Sequence, residues 1–384
     1  MKAKPLKKPL KAKRVVKTKG KHPTNQAFFQ TRSGKCLIIL LSCCIGLSIA
    51  GRFPAFIESY YSLGLYPFIA GALRISFGWV PFSLGDILYT LLGIFIVWRL
   101  LRFIRTIIKR RWTRSYGFKS LMTTLYVGSV LYVLFYLFWG LNYSRLGIAH
   151  QLGLTVTKDY STEELQNLTQ NLLKKTNRDR LQLGNPIELP NHKTLFNGAV
   201  QSYQHLMKQY PFLAYHHRSI KVPVYNALGG YLQYTGYYNP FTGEAQVNTA
   251  LPGILLPYVA CHEMAHQLGY ATEDEANFVG FLAATSSTDP IFQYSTHLEL
   301  FRYANSELWY RDSNMARSNF NQLDTLVKQD LAHLKAFFDA HENPVGRFTT
   351  KLYGLFLKAN QQPQGLDTYD QVTAWLLAYQ KKKP

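Results

Sequence analysis

Acidic residues are almost missing from the first 143 positions. Only Glu58 and Asp86 occur there, against 22 of the 43 Lys and Arg; the rest of the chain balances 21 basic side chains with 20 acidic ones. The net charge of +21 therefore belongs to the part that also carries the long apolar runs. That placement argues against nucleic acid as a partner and reads as a membrane-topology signal. Cysteine is scarce too. Cys36, Cys43 and Cys44 lie in or beside the first apolar run, and Cys261 stands alone in the second half. Four cysteines so placed exclude a disulfide framework. No internal repeat is present.

Three stretches are long and apolar enough to be read as membrane helices. Ser120 to Ser144 holds 25 residues without a charge, enough to cross a bilayer. A second run extends from about Phe82 to Leu101, with Asp86 near one end. The first, Cys36 to Gly51, has 16 charge-free residues between Lys35 and Arg52, cations that can snorkel. The expected spans are 36–53, 82–102 and 120–143. Lys and Arg crowd residues 2–35 and 99–119, which places both stretches in the cytoplasm. Three spans with that bias put residues 145–384 outside the cytoplasmic membrane. A cleaved signal peptide ending near Ser48-Ile49-Ala50 would leave the last domain outside as well. Residues 59–81 are apolar but interrupted by Gly64, Pro67, Gly71, Gly78 and Pro81. They read as an interfacial or re-entrant segment; as a fourth span they would reverse the topology.

The remaining organisation follows from local signals. Residues 1–35 are Lys- and Pro-rich and read as a disordered cytoplasmic tail touching anionic lipid. Ser161-Thr162-Glu163-Glu164 forms a capping box that opens a helix to about Lys175. A second helix is expected from about Leu195 to Tyr210, then an alternating stretch from Ser219 to Tyr225 and a short strand from Phe241 to Thr249. Pro257 marks the start of another helix. After Ala284 the chain reads as helices over 290–311, 315–340, 344–360 and 368–380. The fold class is membrane-anchored α+β, with N-terminal transmembrane helices and a mainly helical domain carrying a small sheet.

The chemistry concentrates in Cys261-His262-Glu263-Met264-Ala265-His266-Gln267-Leu268-Gly269. Two histidines four apart on a helix lie about 40° apart around its axis, so both imidazoles can reach one metal. Glu263 projects beside them, where it can take a proton from water activated there. Ala260, Met264 and Leu268 form the opposite, apolar stripe, and Cys261 falls with them as a packing residue. Gly269 then ends the helix. Two nitrogens, one carboxylate and an open position describe a hydrolytic Zn2+ site. The carboxylate comes from Glu273-Asp274-Glu275. Glu275 also fits a capping box with Thr272, which would explain it without a metal and leave Glu273 as the ligand. Thr272 stands where a metzincin would place its third ligand and is a poor zinc ligand.

HEMAHQ followed by Glu275-Ala276-Asn277 at the head of an apolar helix resembles the gluzincin metallopeptidases. That likeness implies a zincin-like fold and Zn2+ held by His262, His266 and Glu275. Asn277 would orient a ligand. The whole chain after about residue 36 is similar to a bacterial membrane-protein family of unknown function, number 3810 in the domain-of-unknown-function series. Pro81 to Asp86 (Pro-Phe-Ser-Leu-Gly-Asp) and Pro240 to Ala245 (Pro-Phe-Thr-Gly-Glu-Ala) carry this resemblance together with the His-Glu motif. It implies a metallopeptidase-like site. In zincin folds an edge strand before the active-site helix pairs with extended substrate, so Phe241 to Asn248 reads either as that edge or as an ordinary strand with Glu244 in solvent. His297, Tyr303 and Arg347 are candidates to stabilise a tetrahedral intermediate.

These signals lead to a membrane-bound zinc metallopeptidase with Glu263 as general base, a peptide or protein substrate and the lipid bilayer as its surroundings. A non-catalytic zinc-containing envelope binding protein is an alternative, which the retained Glu263 argues against. An intramembrane site-2-type protease is a second, but Pro252 and Pro257 interrupt the run before the motif. No later Asp lies in a long apolar span to complete such a site.

Overall fold

The computed structural model describes residues 25–157, 159–360, 362 and 371–382. Most of the expected basic tail, residues 1–24, lies outside them. Residues 25–35, which the composition assigned to that tail, are not irregular. They form α1 (Asn25–Gln30) and the start of α2 (Arg32–Ala50), which Thr31 caps by accepting from the Gly34 amide. A short α3 (Pro54–Phe56), a π-helix (Ile57–Leu65) and α4 (Tyr66–Phe77) follow as one bent rod. Then come α5 (Leu84–Ile108), capped by Ser83, and α6 (Arg114–Phe138), capped by Thr113.

Among the described residues, α2, α5 and α6 are long and apolar enough to cross a membrane. Their apolar side chains are exposed because most of their surface meets no other part of the protein. α2 packs on α6. The observed bounds extend the expected spans at the basic ends, since Arg and Lys stems continue a helix without loss of propensity.

A 3₁₀ segment (Gly140–Ser144) leads into α7 (Gly147–Leu152), then α8 (Thr162–Gln182) and α9 (His192–Gln209). The Ser161–Glu164 capping box is present. α8 outruns its expected end because its last turns are held by buried polar contacts rather than by apolar residues: the Arg180–Asp330 ion pair at 2.7 Å and the Asp179–His297 hydrogen bond at 2.5 Å. Next come β1 (Ile220–Lys221), α10 (Gly229–Leu232), β2 (Gly236–Asn239), β3 (Glu244–Val247), α11 (Leu256–Gln267), α12 (Glu273–Thr285) and α13 (Pro290–Arg311). The region expected as one helix over 315–340 is two, α14 (Ser313–Asn321) and α15 (Thr325–His341). Leu323 drops into the core between them, and Asp324 caps the second by accepting from the Leu326 amide at 2.8 Å. α16 (Pro344–Ala359) and α17 (Gln371–Lys382) complete the described chain.

The sheet order is β1-β3-β2, with β3 parallel to β1 and antiparallel to β2. β3 is therefore the central strand, and the reading of 241–248 as a free edge is corrected. Neither is Glu244 solvated. Its carboxylate is fully buried, 2.5 Å from Lys221 Nζ, and accepts from the Leu84 and Gly85 amides and the Ser83 hydroxyl at 2.9–3.2 Å. A buried anion at the first turn of α5 meets the positive end of the helix dipole and its free N–H groups. Asp86 accepts from the Val224 amide at 2.7 Å and from the Tyr237 hydroxyl. The Pro81–Asp86 and Pro240–Ala245 motifs thus meet, joining a candidate span to the sheet.

Two apolar clusters result. The larger packs α8, α9, α11, α12, α13 and α17, with Ala260, Cys261 and Met264 wholly buried in it. The smaller holds Ile57, Tyr61, Tyr66 and Ala70 from the bent rod against Trp139, Leu141, Tyr143 and Tyr238. Residues 57–77 therefore rest on the domain through one face, while Phe68 keeps its large apolar surface exposed on the other.

Candidate metal centre

α11 is buried along its whole length, so each side chain needs a packing or bonding partner. On the stripe away from the histidines these are core residues. Gln267, the next residue after the motif, fixes the helix to the sheet. Its amide donates to the Ser219 and Gly243 carbonyls at 2.9 and 2.7 Å and accepts from the Tyr215 hydroxyl at 2.8 Å. Gly269 has φ +87°, the left-handed conformation that lets the chain leave α11 and return as α12.

That return brings Glu273 to the histidines. Its Oε2 lies 3.4 Å from His262 Nε2 and its Oε1 3.7 Å from His266 Nε2. The three ligand atoms all fall within 4.8 Å of one another, and all three residues are buried. Ligands at zinc distances from a common tetrahedral centre stand about 3.3 Å apart, so this spacing suits one ion. His266 Nδ1 donates to the Tyr270 carbonyl at 2.7 Å, which fixes the tautomer and leaves the Nε2 lone pair facing Glu273. His262 Nδ1 and Asn277 Nδ2 are both buried without a partner, while the Tyr258 hydroxyl lies 3.1 Å from the Asn277 carbonyl and 3.3 Å from Oδ1. Turning the Asn277 amide over puts Oδ1 toward His262 Nδ1 and Nδ2 toward Tyr258, which satisfies both.

The electrostatics follow from burial and proximity. Burial pushes the Glu273 carboxyl upward, but His262, His266 and the Tyr353 hydroxyl outweigh it and hold its pKa at about 2. Burial pulls His266 down to about 4, so it stays neutral. Burial also disfavours the His262 cation, yet Glu273 leaves that pKa raised. Glu263 lies beyond the pair of histidines, against β2. A β-carbon on Gly236 would stand 2.4 Å from Glu263 Oε1, so only glycine admits the carboxylate there. Its Oε2 has no partner, and burial, with Glu273 adding to it, raises its pKa to about 8.

Glu275 does not join these groups. Its Oε1 accepts from the Ile148 amide at 2.8 Å and its Oε2 from the Thr272 hydroxyl at 3.3 Å. It closes the first turn of α7 beside Glu58, which pairs with Arg145 at 2.8 Å and accepts from the Gly147 amide at 3.2 Å. Arg145 donates to the Gly269 carbonyl at 3.1 Å and covers the Tyr270 ring. This network braces the loop whose Tyr270 carbonyl orients His266. Of the candidates for an intermediate-stabilising group, His297 is bound to Asp179 and Arg347 pairs with Glu342 on the surface, away from the histidines. Tyr303 is near enough to feel the Glu273 charge.

Two features had no signal in the sequence. Tyr353 donates from α16 to Glu273, 80 residues away in the chain, and the Gln362 side chain accepts from the Glu273 amide at 3.3 Å. Trp139, just past the end of α6, and Tyr143, in the 3₁₀ segment that follows, lie on the other side: the Trp139 indole donates to the His266 carbonyl at 3.1 Å, and its ring packs edge-on against Tyr143.

A helical protein with three candidate membrane helices and a buried two-histidine, one-carboxylate cluster is the class these observations define. The chain belongs to the family described as protein of unknown function (DUF3810), whose profile matches residues 61–377. Neither curated proteins nor solved structures gave a match.

Proposed function

We propose that this protein is a membrane-bound zinc metallopeptidase with a gluzincin-like site facing the outside of the cytoplasmic membrane. The observation that carries the reading is the convergence of His262, His266 and Glu273 within 4.8 Å, with a buried glutamate that has no structural partner for Oε2 beside them. The residues fit zinc: two imidazoles, one of them locked with Nε2 free, and one carboxylate leave a coordination position open. His262, His266 and Glu273 would hold the ion, and Glu273 replaces the Glu275 that the Glu-Ala-Asn likeness implied. When bound, Zn2+ would supply the Lewis acidity that activates water and polarises a peptide carbonyl.

Glu263 takes a proton from the attacking water at its unpartnered Oε2 and returns it to the leaving amine. β2 is an edge strand and lies against Glu263, so it is the strand placed to pair with an extended peptide.

The test is metal content and peptide hydrolysis of the full-length protein in detergent. About one Zn2+ per chain is expected, with loss of most of it in His262→Ala. Glu263→Gln should keep the metal and lose about 10²–10⁴-fold in turnover. Zinc retained by His262→Ala, or turnover retained by Glu263→Gln, would sink the reading.

A further inference from the structure

α16 carries no acidic residue and has three distinct faces. Gly346, Gly354 and Leu357 are buried against the domain. Val345, Phe348, Leu352 and Leu355 are between 49 and 61 % exposed. At 100° per residue these four fall within an arc of about 80°, and Arg347, Lys351 and Lys358 occupy an adjacent arc of about 40°. A solvent-facing helix would not present four large apolar side chains in one stripe.

Its position accounts for the stripe. The N-terminal end is tied to α10: Asn343 donates to the Tyr231 carbonyl and Thr349 to the Leu232 carbonyl, both at 2.8 Å. The segment leading into α10 is in turn bonded to α5, through the Tyr225 and Thr90 hydroxyls at 2.8 Å. At the C-terminal end, Phe356 packs on Phe135 of α6 and on Tyr143, with ring centroids 6.3 and 6.4 Å apart. α5 and α6 are joined at their far ends by the short turn after Ile108, so the start of α5 and the end of α6 lie on one side of the bilayer. Thr90 and Phe135 stand about 9 and about 5 Å inside those helix ends, the depth at which an amphipathic helix lies in the headgroup and acyl boundary.

We propose that α16 is an interfacial helix, seated in the lipid surface through Val345, Phe348, Leu352 and Leu355, with Lys351 and Lys358 reaching lipid phosphates. Apolar burial and charge complementarity both select a bilayer, and the contact with α6 makes the surface continuous with a candidate span. Because Tyr353 of α16 donates to Glu273, the candidate metal centre is tied to the helix that lies at the membrane surface. The proposal rests on α5 and α6 crossing the membrane, not on the zinc reading.

The experiment uses the full-length chain in nanodiscs of dioleoylphosphatidylcholine and dioleoylphosphatidylglycerol, with Cys36, Cys43 and Cys44 replaced by Ser; Cys261 is buried and free. A bimane label is placed at Val345→Cys, Phe348→Cys, Leu352→Cys or Leu355→Cys, and at Lys335→Cys on α15, 75 % exposed, as control. Brominated acyl chains should quench the four α16 positions at least about threefold more than the control, and iodide should quench them less. Iodide quenching equal to the control at all four positions overturns the proposal. So does protection from both quenchers that disappears in discs holding one copy, since the occupant would then be a second chain.

Discussion

Glu273 and Glu275 are two residues apart, about 200° around a helix, so one centre cannot use both. Glu273 faces His262 and His266, while Glu275 closes α7. Glu273→Ala should abolish stoichiometric zinc, measured by mass spectrometry of the purified protein. Glu275→Ala should keep zinc and lose about 1–3 kcal/mol of stability, because the buried Ile148 amide loses its acceptor. Tyr353→Phe should weaken zinc about 10–100-fold in a chelator competition, since it removes the donor that fixes Glu273. Without metal, the buried carboxyls set a pH dependence. The folded pKa values of Glu263 and Glu275, about 8 and about 7, exceed the ordinary 4.5, so the native state binds more protons than the unfolded one below them. Stability should therefore fall as pH rises from 6.5 to 8, by about 1.4 kcal/mol per pH unit per proton. His266 does not oppose this in that window, because its folded pKa of about 4 lies below its ordinary 6.5 and its stabilising effect is complete by then. Denaturation of chelator-treated protein should show the fall, and Glu263→Gln should reduce it to the part that Glu275 contributes. That His262, Glu263 and His266 stand together was legible in the sequence, because one helix fixes their spacing. Which carboxylate faces them was not: Thr272 to Glu275 fits a capping box by sequence, yet in the structure the Thr272 side chain makes no cap hydrogen bond, and Glu273 rather than Glu275 turns to the histidines.

At the scale of elements, the two motifs that carried the family likeness act at a joint. Glu244 on β3 holds the first turn of α5, and Lys221 on β1 neutralises it while donating to the Phe77 and Phe82 carbonyls at 2.9 and 3.1 Å. Removing one partner leaves a buried charge. Lys221→Ala should cost about 3–5 kcal/mol, read from denaturant midpoints in detergent, and a change below about 1 kcal/mol would mean the pair is not desolvated as placed. The helices were legible from caps and periodicity: Ser161 and Pro290 open α8 and α13 where the sequence places them. The sheet was less so. β3 is central only because β1, more than 20 residues earlier, adds in parallel, and no local pattern announces a two-residue partner.

For the whole molecule, the side on which α6 ends decides what the candidate centre meets, since Trp139, just past that end, donates to the His266 carbonyl. α2, α5 and α6 give an odd number of candidate crossings among the described residues, and the bent rod of residues 57–77 is packed on the domain rather than added to them. Basic flanks at residues 2–35 and 99–119 favour the cytoplasm for those segments. Protease added to spheroplasts should therefore cut the domain after Arg145 and spare the N-terminal tail. A reporter active only in the cytoplasm should be silent when fused after Pro384. A fluorescent or enzymatically active cytoplasmic fusion would require one further crossing, for which residues 57–77 would have to leave the contacts of Tyr61 and Tyr66 with the domain. The interfacial seat of α16 would survive that outcome, because it depends only on α5 and α6 sharing a side. The extracytoplasmic substrates of the proposed peptidase would not.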